Sequence, residues 1–278
     1  MNTHQPITSS PSRQPSRIQA TLWRWLRRIL LTCVALILIG LATVYIALPP
    51  RGVFLTDSWQ FKEKHDGPVT GNLGGVPVRI PTEFAHFVEY DGDPGFLEPR
   101  KGPVPERSLQ SRLRSFGFDV LYPEMLGLTP QTQSMGYHDN INLSMWVHVS
   151  IDSGERYPGP QALRNQEKAL DDPQWWRFPL KKKSEPFYGL TVFESQGGAP
   201  QDRRHVTLYT HHNQAGQIDA YIDCDDAPKP AARCTLEADM SPDMGVNLSI
   251  DVRRAMVPQW ADILKNVKAK VLAFKHMP

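Results

Sequence analysis

Ile29 to Leu48 (ILLTCVALILIGLATVYIAL) is a run of twenty residues without a charged side chain. An apolar helix of about 20 residues is what a hydrocarbon core of about 30 Å requires. No polar stripe interrupts the run, which argues against a core helix with a solvent face, and a single membrane-spanning helix is predicted. Beyond it the hydrophobic period falls to two. Phe116, Phe118, Val120 and Tyr122 alternate with other residues, and so do Leu143, Met145, Val147, Val149 and Ile151, with Ser144, His148 and Ser150 between them. Half-buried strands carry this alternation. Val206, Leu208 and Thr210, then Ile218, Ala220 and Ile222, flank the polar turn Asn213-Gln214-Ala215-Gly216, a hairpin signal. Val246, Leu248, Ile250 and Val252 repeat the alternation after the turn Ser241 to Gly245, and Phe187 to Glu194 reads as a further strand.

Two helices are predicted among these strands. Pro160 to Asp171 opens on a proline suited to a first helical turn and carries Leu163, Ala169 and Leu170. After Pro258, residues Trp260, Ile263, Leu264, Val267, Val271 and Phe274 recur at helical spacing, with Lys265, Lys268 and Lys270 elsewhere. That is an amphipathic helix packing on a sheet, with lysines favourable toward its C-terminal half. The predicted fold class is α+β: an antiparallel β-meander sheet with a C-terminal amphipathic helix packed on it, preceded by one transmembrane helix. The domains follow: a disordered basic tail over 1–28, the membrane helix over 29–48, a linker over 49–70 and one α+β domain over 71–278.

Charge sets the orientation. Arg13, Arg17, Arg24, Arg27 and Arg28 precede the apolar run without any Asp or Glu, whereas Arg51 after it is followed by the mixed charges Asp57, Lys62, Glu63, Lys64 and Asp66. Under the positive-inside rule the N-terminus is cytoplasmic and the rest is exported, with Trp23, Trp25 and Tyr45 placed as interfacial aromatics. A cleaved signal peptide is the competing reading. The length of the run and its bulky end, Tyr45-Ile46-Ala47-Leu48-Pro49-Pro50, favour an uncleaved anchor. In a bacterium this places the chain in the inner membrane, single-pass, with a periplasmic C-terminal domain. Taking the five arginines from the whole-chain charge of +2 leaves about −3 for the remainder, which speaks against nucleic acid as a partner.

Cysteine usage agrees with export. Cys33 lies inside the apolar run as a small apolar filler, and Cys224 and Cys234, in DCDDAPKPAARC, remain outside it. An even pair in an oxidising compartment reads as a disulfide; metal ligation and free thiols are the alternatives. No CxxC or HxxxH spacing joins His211, His212 and Asp223 into a metal set, so no metal is expected.

Catalytic signatures are missing from the sequence: it holds no G-x-S-x-G, S-x-x-K, H-E-x-x-H or Walker pattern, and Gly74-Gly75 precedes Val-Pro. No cofactor and no enzymatic activity are expected. The loop Glu89-Tyr90-Asp91-Gly92-Asp93-Pro94-Gly95 lacks the spaced carboxylates of an EF-hand and reads as a tight turn. His211-His212 reads as a hairpin flank without an orienting carboxylate, and Lys181 to Lys183 as a solvated loop. Asp91, Asp93, Asp225 and Asp226 are the candidate partner-binding loop residues, chosen for acidity and expected exposure.

The stretch Asn72 to Pro81 (NLGGVPVRIP), leading into Phe87 to Pro94 (FVEYDGDP), together with Cys224, Cys234, the strand Val246 to Val252 and Pro258 to Ile263 (PQWADI), resembles a group of bitopic bacterial proteins. These are associated with type VI secretion effectors, and some are taken to be periplasmic immunity proteins. The resemblance implies a binding protein that neutralises a periplasm-acting toxin by occlusion, with no catalytic residues. An envelope scaffold or assembly factor, and a periplasmic enzyme of unrecognised type, are the other function classes compatible with the residues.

Overall fold

The computed structural model describes residues 30–34, 36–37, 67–94, 101–136, 144–170, 172, 180–195, 206–224 and 232–276. The chain divides into two compact units, Met1–Lys62 and Glu63–Pro278. In the first, residues 30–34 and 36–37 are helical and exposed. Among the described residues no helix is long and apolar enough to cross a membrane. Most of the predicted span, the arginines before it and the aromatic residues at its ends lie outside the described residues.

The second unit opens with a hairpin, β1 (Val69–Leu73) and β2 (Val76–Ile80), which forms a two-stranded sheet of its own. β1 begins inside the stretch expected to be a linker. The turn uses Gly74 (φ 56°) and Gly75 (φ 93°), and a Cβ on Gly74 would stand 2.6 Å from the backbone of Gly245, so only glycine fits there. Leu73, Val78 and Ile80 are fully buried. The hairpin is tied to the end of the chain by Arg79 N donating to Phe274 O and His276 N donating to Pro77 O.

The main sheet is antiparallel throughout. Its strands are β3 (His86–Tyr90), β4 (Leu113–Leu121), β5 (Leu126–Gly127), β6 (Trp146–Asp152), β7 (Leu180–Lys182), β8 (Thr191–Ser195), β9 (Thr207–His212), β10 (Ile218–Cys224), β11 (Arg233–Asp239) and β12 (Asn247–Arg253). In space they run β3-β4-β6-β12-β11-β10-β9-β8-β7, with β5 beside β4. The expected meander is present from β7 to β12, and its last strand closes against β6. Among the described residues three α-helices accompany the sheet: α1 (Pro130–Gly136), α2 (Ala162–Leu170) and α3 (Trp260–Leu272). α2 lies in the connection that carries the chain from β6, in the middle of the sheet, to β7 at its far edge.

The period-two positions behave as strands with one apolar face. Val147, Val149 and Ile151 of β6, Leu236 of β11 and Leu248 and Ile250 of β12 are fully buried. On this face α3 lays Trp260, Ile263, Leu264, Val267 and Val271, followed by Phe274, into one cluster with Phe116, Phe118 and Val120 of β4. The helical stripe predicted from Trp260 to Phe274 is therefore the core seam. Lys268, expected on the solvent side, is half-buried instead and donates from Nζ to the carbonyl of Asp239 at 3.0 Å; burial pulls its pKa down.

Two local expectations are corrected, and the predicted β9–β10 hairpin is present. The strand predicted over Phe187 to Glu194 begins only at Thr191, because Phe187 and Leu190 close a tight turn through Tyr188 (φ 50°) and Gly189 (φ 81°), and left-handed residues cannot continue a strand. Lys181 and Lys182 sit in the edge strand β7 rather than a loop, where lysines discourage further pairing. In the β9–β10 hairpin the two apolar stripes face opposite sides of the sheet: Leu208 pairs with Asp223 and Ile222 with Tyr209. Leu208 therefore joins Leu163 and Leu170 of α2 and Tyr221 in a second cluster.

Candidate functional site

The face of the sheet opposite α3 is polar, and nearly all of the residues that β6, β12 and β11 turn toward it are half-buried. Register places its residues in rows that cross the strands. Gly117, Ser150, Ser249 and Glu237 form the middle row of β4, β6, β12 and β11; Ser115, Asp152, Asn247 and Asp239 lie on one side of it, and Asp119, His148, Asp251 and Thr235 on the other. Each strand supplies these residues because its apolar alternates are held in the core. At one side the face is bounded by α2, packed on β10 and β11. At one end it is bounded by the 3-10 turn Gly154–Arg156 and Tyr157, through Arg156 to Ser115 Oγ (3.0 Å), Arg156 to Glu89 (2.8 Å) and Tyr157 OH donating to Asp239 (2.6 Å). Beside this end lies a cleft of about 610 Å³ lined by Asn72, Arg112, Ser153, Glu155 and Tyr157 among others.

Asp119 is the most enclosed ionisable group of these rows, 3 % exposed. Its Oδ1 lies 2.9 Å from Nδ1 of His148, and its Oδ2 3.5 Å from Nδ1 of His86. Burial alone would push the carboxyl up; the hydrogen bonds from His148 and His86 outweigh it and hold the pKa low. The bond to Asp119 raises His148 in turn, burial opposing. Because Ser150 Oγ is 3.3 Å from His148 Nε2, the three residues have the connectivity of a nucleophile, a base and an orienting acid. A general base must be free to accept a proton. Asp119 favours the imidazolium, which suits His148 to neutralising a buried carboxylate more than to activating Ser150.

This pair gives a pH prediction. Since the folded His148 pKa lies above its ordinary 6.5, its contribution is complete below about 6.5 and is lost as pH rises through the folded value. The melting temperature of the wild type is expected to fall over that interval, and a His148→Gln variant to lack the slope. Parallel pH profiles for the two would count against the pair.

Asp152 and Glu237 differ from Asp119. Burial raises both, with Arg156 lowering and Glu89 raising Asp152. For Glu237, hydrogen bonds from Asn247 and Ser249 lower it, and Asp152 and Asp251 raise it. Glu237 has a neutral donor in Asn247 Nδ2 at 2.8 Å.

The residues singled out from sequence are distributed elsewhere. Asp91 and Asp93 follow β3 in the expected turn and are engaged within the fold. Asp93 accepts from Tyr90 N at 3.0 Å and pairs with Arg107, while Asp91 accepts from Glu155 N and packs against Gly154. Asp225 and Asp226 lie outside the described residues. Cys224 and Cys234 are directly opposed on β10 and β11 and joined as a disulfide on the core face; Cys33 is a free, exposed thiol. Both histidines of the hairpin have carboxylates that sequence spacing did not reveal: His211 pairs with Asp219 across the hairpin, its ring 4.8 Å from that of Trp260, and His212 pairs with Glu167 of α2. The polar rows themselves were visible only as the alternates of each strand, such as His148 and Ser150. Among the described residues no three His, Cys, Asp or Glu side chains are placed to hold a metal ion.

No protein-family model matches the chain, and no curated protein matches it in sequence. Among solved structures it is similar to Smlt3025, an immunity protein of the Stenotrophomonas maltophilia type IV secretion system. The TM-score is 0.50 at 17 % identity, over 76 % of this chain and 94 % of that one. A second similarity is to the Neisseria meningitidis iron-regulated outer membrane lipoprotein FrpD, with a TM-score of 0.43 at 10 % identity over 76 % and 93 % of the two chains. At these identities the likeness to Smlt3025 is one of fold: this chain has the fold of a secretion-system immunity protein.

Proposed function

We propose that the chain is an inner-membrane-anchored binding protein that neutralises, by occlusion in the periplasm, a toxin delivered by a secretion system. The observation that carries the reading is the fold shared with an immunity protein across most of the unit after residue 63. The charge-free run Ile29 to Leu48 with arginines on one side supports the anchor and its orientation, and a disulfide suits an oxidising compartment. The partner meets a stable sheet that needs to contribute only surface. A tether supplies local concentration rather than an inhibitory contact.

The test is a contact-dependent competition in which cells lacking the gene face their own parent strain. Survival is expected to drop at least tenfold and to be restored by the full chain. Residues 51–278 directed to the periplasm should also restore it when overexpressed, and the same residues confined to the cytoplasm should not. Attackers lacking a type IV or a type VI apparatus then show which one delivers the toxin; the resemblance carried by the sequence points to type VI, and the structural neighbour belongs to a type IV system. His211→Gln should protect as well as the wild type, because occlusion involves no turnover and this ring is held by Asp219 away from the polar rows. Unchanged survival of the deletion strain would overturn the proposal, and an envelope defect in its place would favour the scaffold reading.

A further inference from the structure

We propose that the polar face floored by β6, β12 and β11, between α2 and the Gly154–Arg156 turn, is the docking surface, and that it receives a protein partner presenting lysine or arginine side chains. The proposal rests on the binding-protein reading above and specifies where, and with what chemistry, the contact is made.

The cations around this face are already engaged. Arg114 and Arg156 both reach Glu89, Arg233 reaches Asp251, and His148 and His86 flank Asp119. Among the described residues the carboxylates of Asp152, Glu237 and Asp239 form no salt bridge, although Arg156 is near enough to lower Asp152 and Lys268 holds the backbone carbonyl of Asp239. Glu237 is met by the amide of Asn247, and Asp239 by the hydroxyl of Tyr157 and the backbone N–H of Ser241.

The register sets these groups around a low floor. Asp152 and Asp239 stand on either side of Asn247 in one row, and Glu237 stands next to Ser249 in the adjoining one; with strands about 4.8 Å apart, Asp152 and Asp239 are separated by about 10 Å. In the middle row the His148 ring lies against Gly117 and Ser150, and Ser249 is the small residue that stands between Ser150 and Glu237. A long cationic side chain entering there would meet carboxylates on more than one side. Burial is the main reason that Asp152 and Glu237 are raised, with neighbouring carboxylates adding to it, and a cation brought beside them by a partner would offset both; such a requirement selects partners by sign. An acidic or phosphate-bearing partner would be repelled by the same groups.

The test uses the purified full-length chain and a fluorescein-labelled decalysine peptide, with decaglutamate as the control of opposite sign. Decalysine is expected to bind, and any binding of decaglutamate, for which the N-terminal arginines are available, to be the same in wild type and variants. The double variant Asp152→Asn/Glu237→Gln should weaken decalysine binding about tenfold or more. Asp262→Asn, on the exposed side of α3, should leave binding unchanged. Both changes in the double variant are isosteric and remove self-repulsion, so its melting temperature should be no lower than that of the wild type. Ser249→Lys is an independent arm, since a cation planted on the floor should abolish binding. Wild type that ignores decalysine, or a double variant that binds it as well as the wild type, would overturn the proposal. In the competition assay, a wild type that protects together with a double variant that protects equally would remove this face and leave the immunity reading standing. A wild type that fails to protect would remove that reading whatever the peptide does.

Discussion

Phe118→Ala is expected to destabilise the unit after residue 63 by about 3–5 kcal/mol. The side chain is fully buried, and its ring meets Phe84 edge-on at 5.9 Å, Phe274 edge-on at 5.9 Å and Phe116 at 6.2 Å. These partners come from the 3-10 turn Thr82–Phe84, the residues after α3, and β4 itself. Truncation therefore removes packing between three segments far apart in sequence and leaves a cavity that a hydrogen-bonded sheet cannot easily collapse. Urea unfolding should show a lower midpoint with an unchanged slope. A loss below about 1 kcal/mol would mean that the cluster repacks and does not join the three segments.

Cys224→Ser is expected to cost about 2–4 kcal/mol in oxidising conditions. The two cysteines face each other across β10 and β11, with sequence separation 10, and both are fully buried. The bond shortens the unfolded ensemble's loop, and either cysteine alone forfeits all of it. Cys234→Ser and the double change should therefore match the single loss rather than add to it. Losses that sum, or labelling of two buried thiols in the oxidised protein after denaturation, would show that the bond is not formed.

Much of the unit could be read locally. The alternation of Val147, Val149 and Ile151, or of Leu248, Ile250 and Val252, marks a face of each strand because side chains on a pleated strand have period two. The stripe from Trp260 to Phe274 marks α3 for the equivalent helical reason. The β1–β2 hairpin carries little local signal: its strands are short, Pro77 lies within the second, and backbone hydrogen bonds tie it to Phe274, Ser111 and Gly245, residues remote in sequence. The turn at Tyr188 was missed because Phe187 to Glu194 keeps a strand-like composition while its backbone is left-handed.

The candidate site was legible only in fragments. His148 and Ser150 were recognised as polar alternates of one strand, and acidity drew attention to Asp91 and Asp93, whose partners Arg107 and Glu155 occupy them inside the fold. Glu237, Asp152 and Asp239 attracted no notice, since none belongs to a local motif.

The amino-acid sequence by itself determined which residues of β4, β6 and β12 share a buried face, where the last helix begins and which side of it is apolar, and that Cys224 and Cys234 are a pair. These depend on period, turn chemistry and short loop closure, all of which act over a few residues. Tertiary structure alone decided that β12 lies beside β6, that α2 carries the chain across to the far edge, and that His211 and His212 find Asp219 and Glu167. Strand neighbours separated by many residues are chosen by the burial of whole faces, and a period of two is the same for every candidate neighbour. The acidic rows exist only after that choice is made.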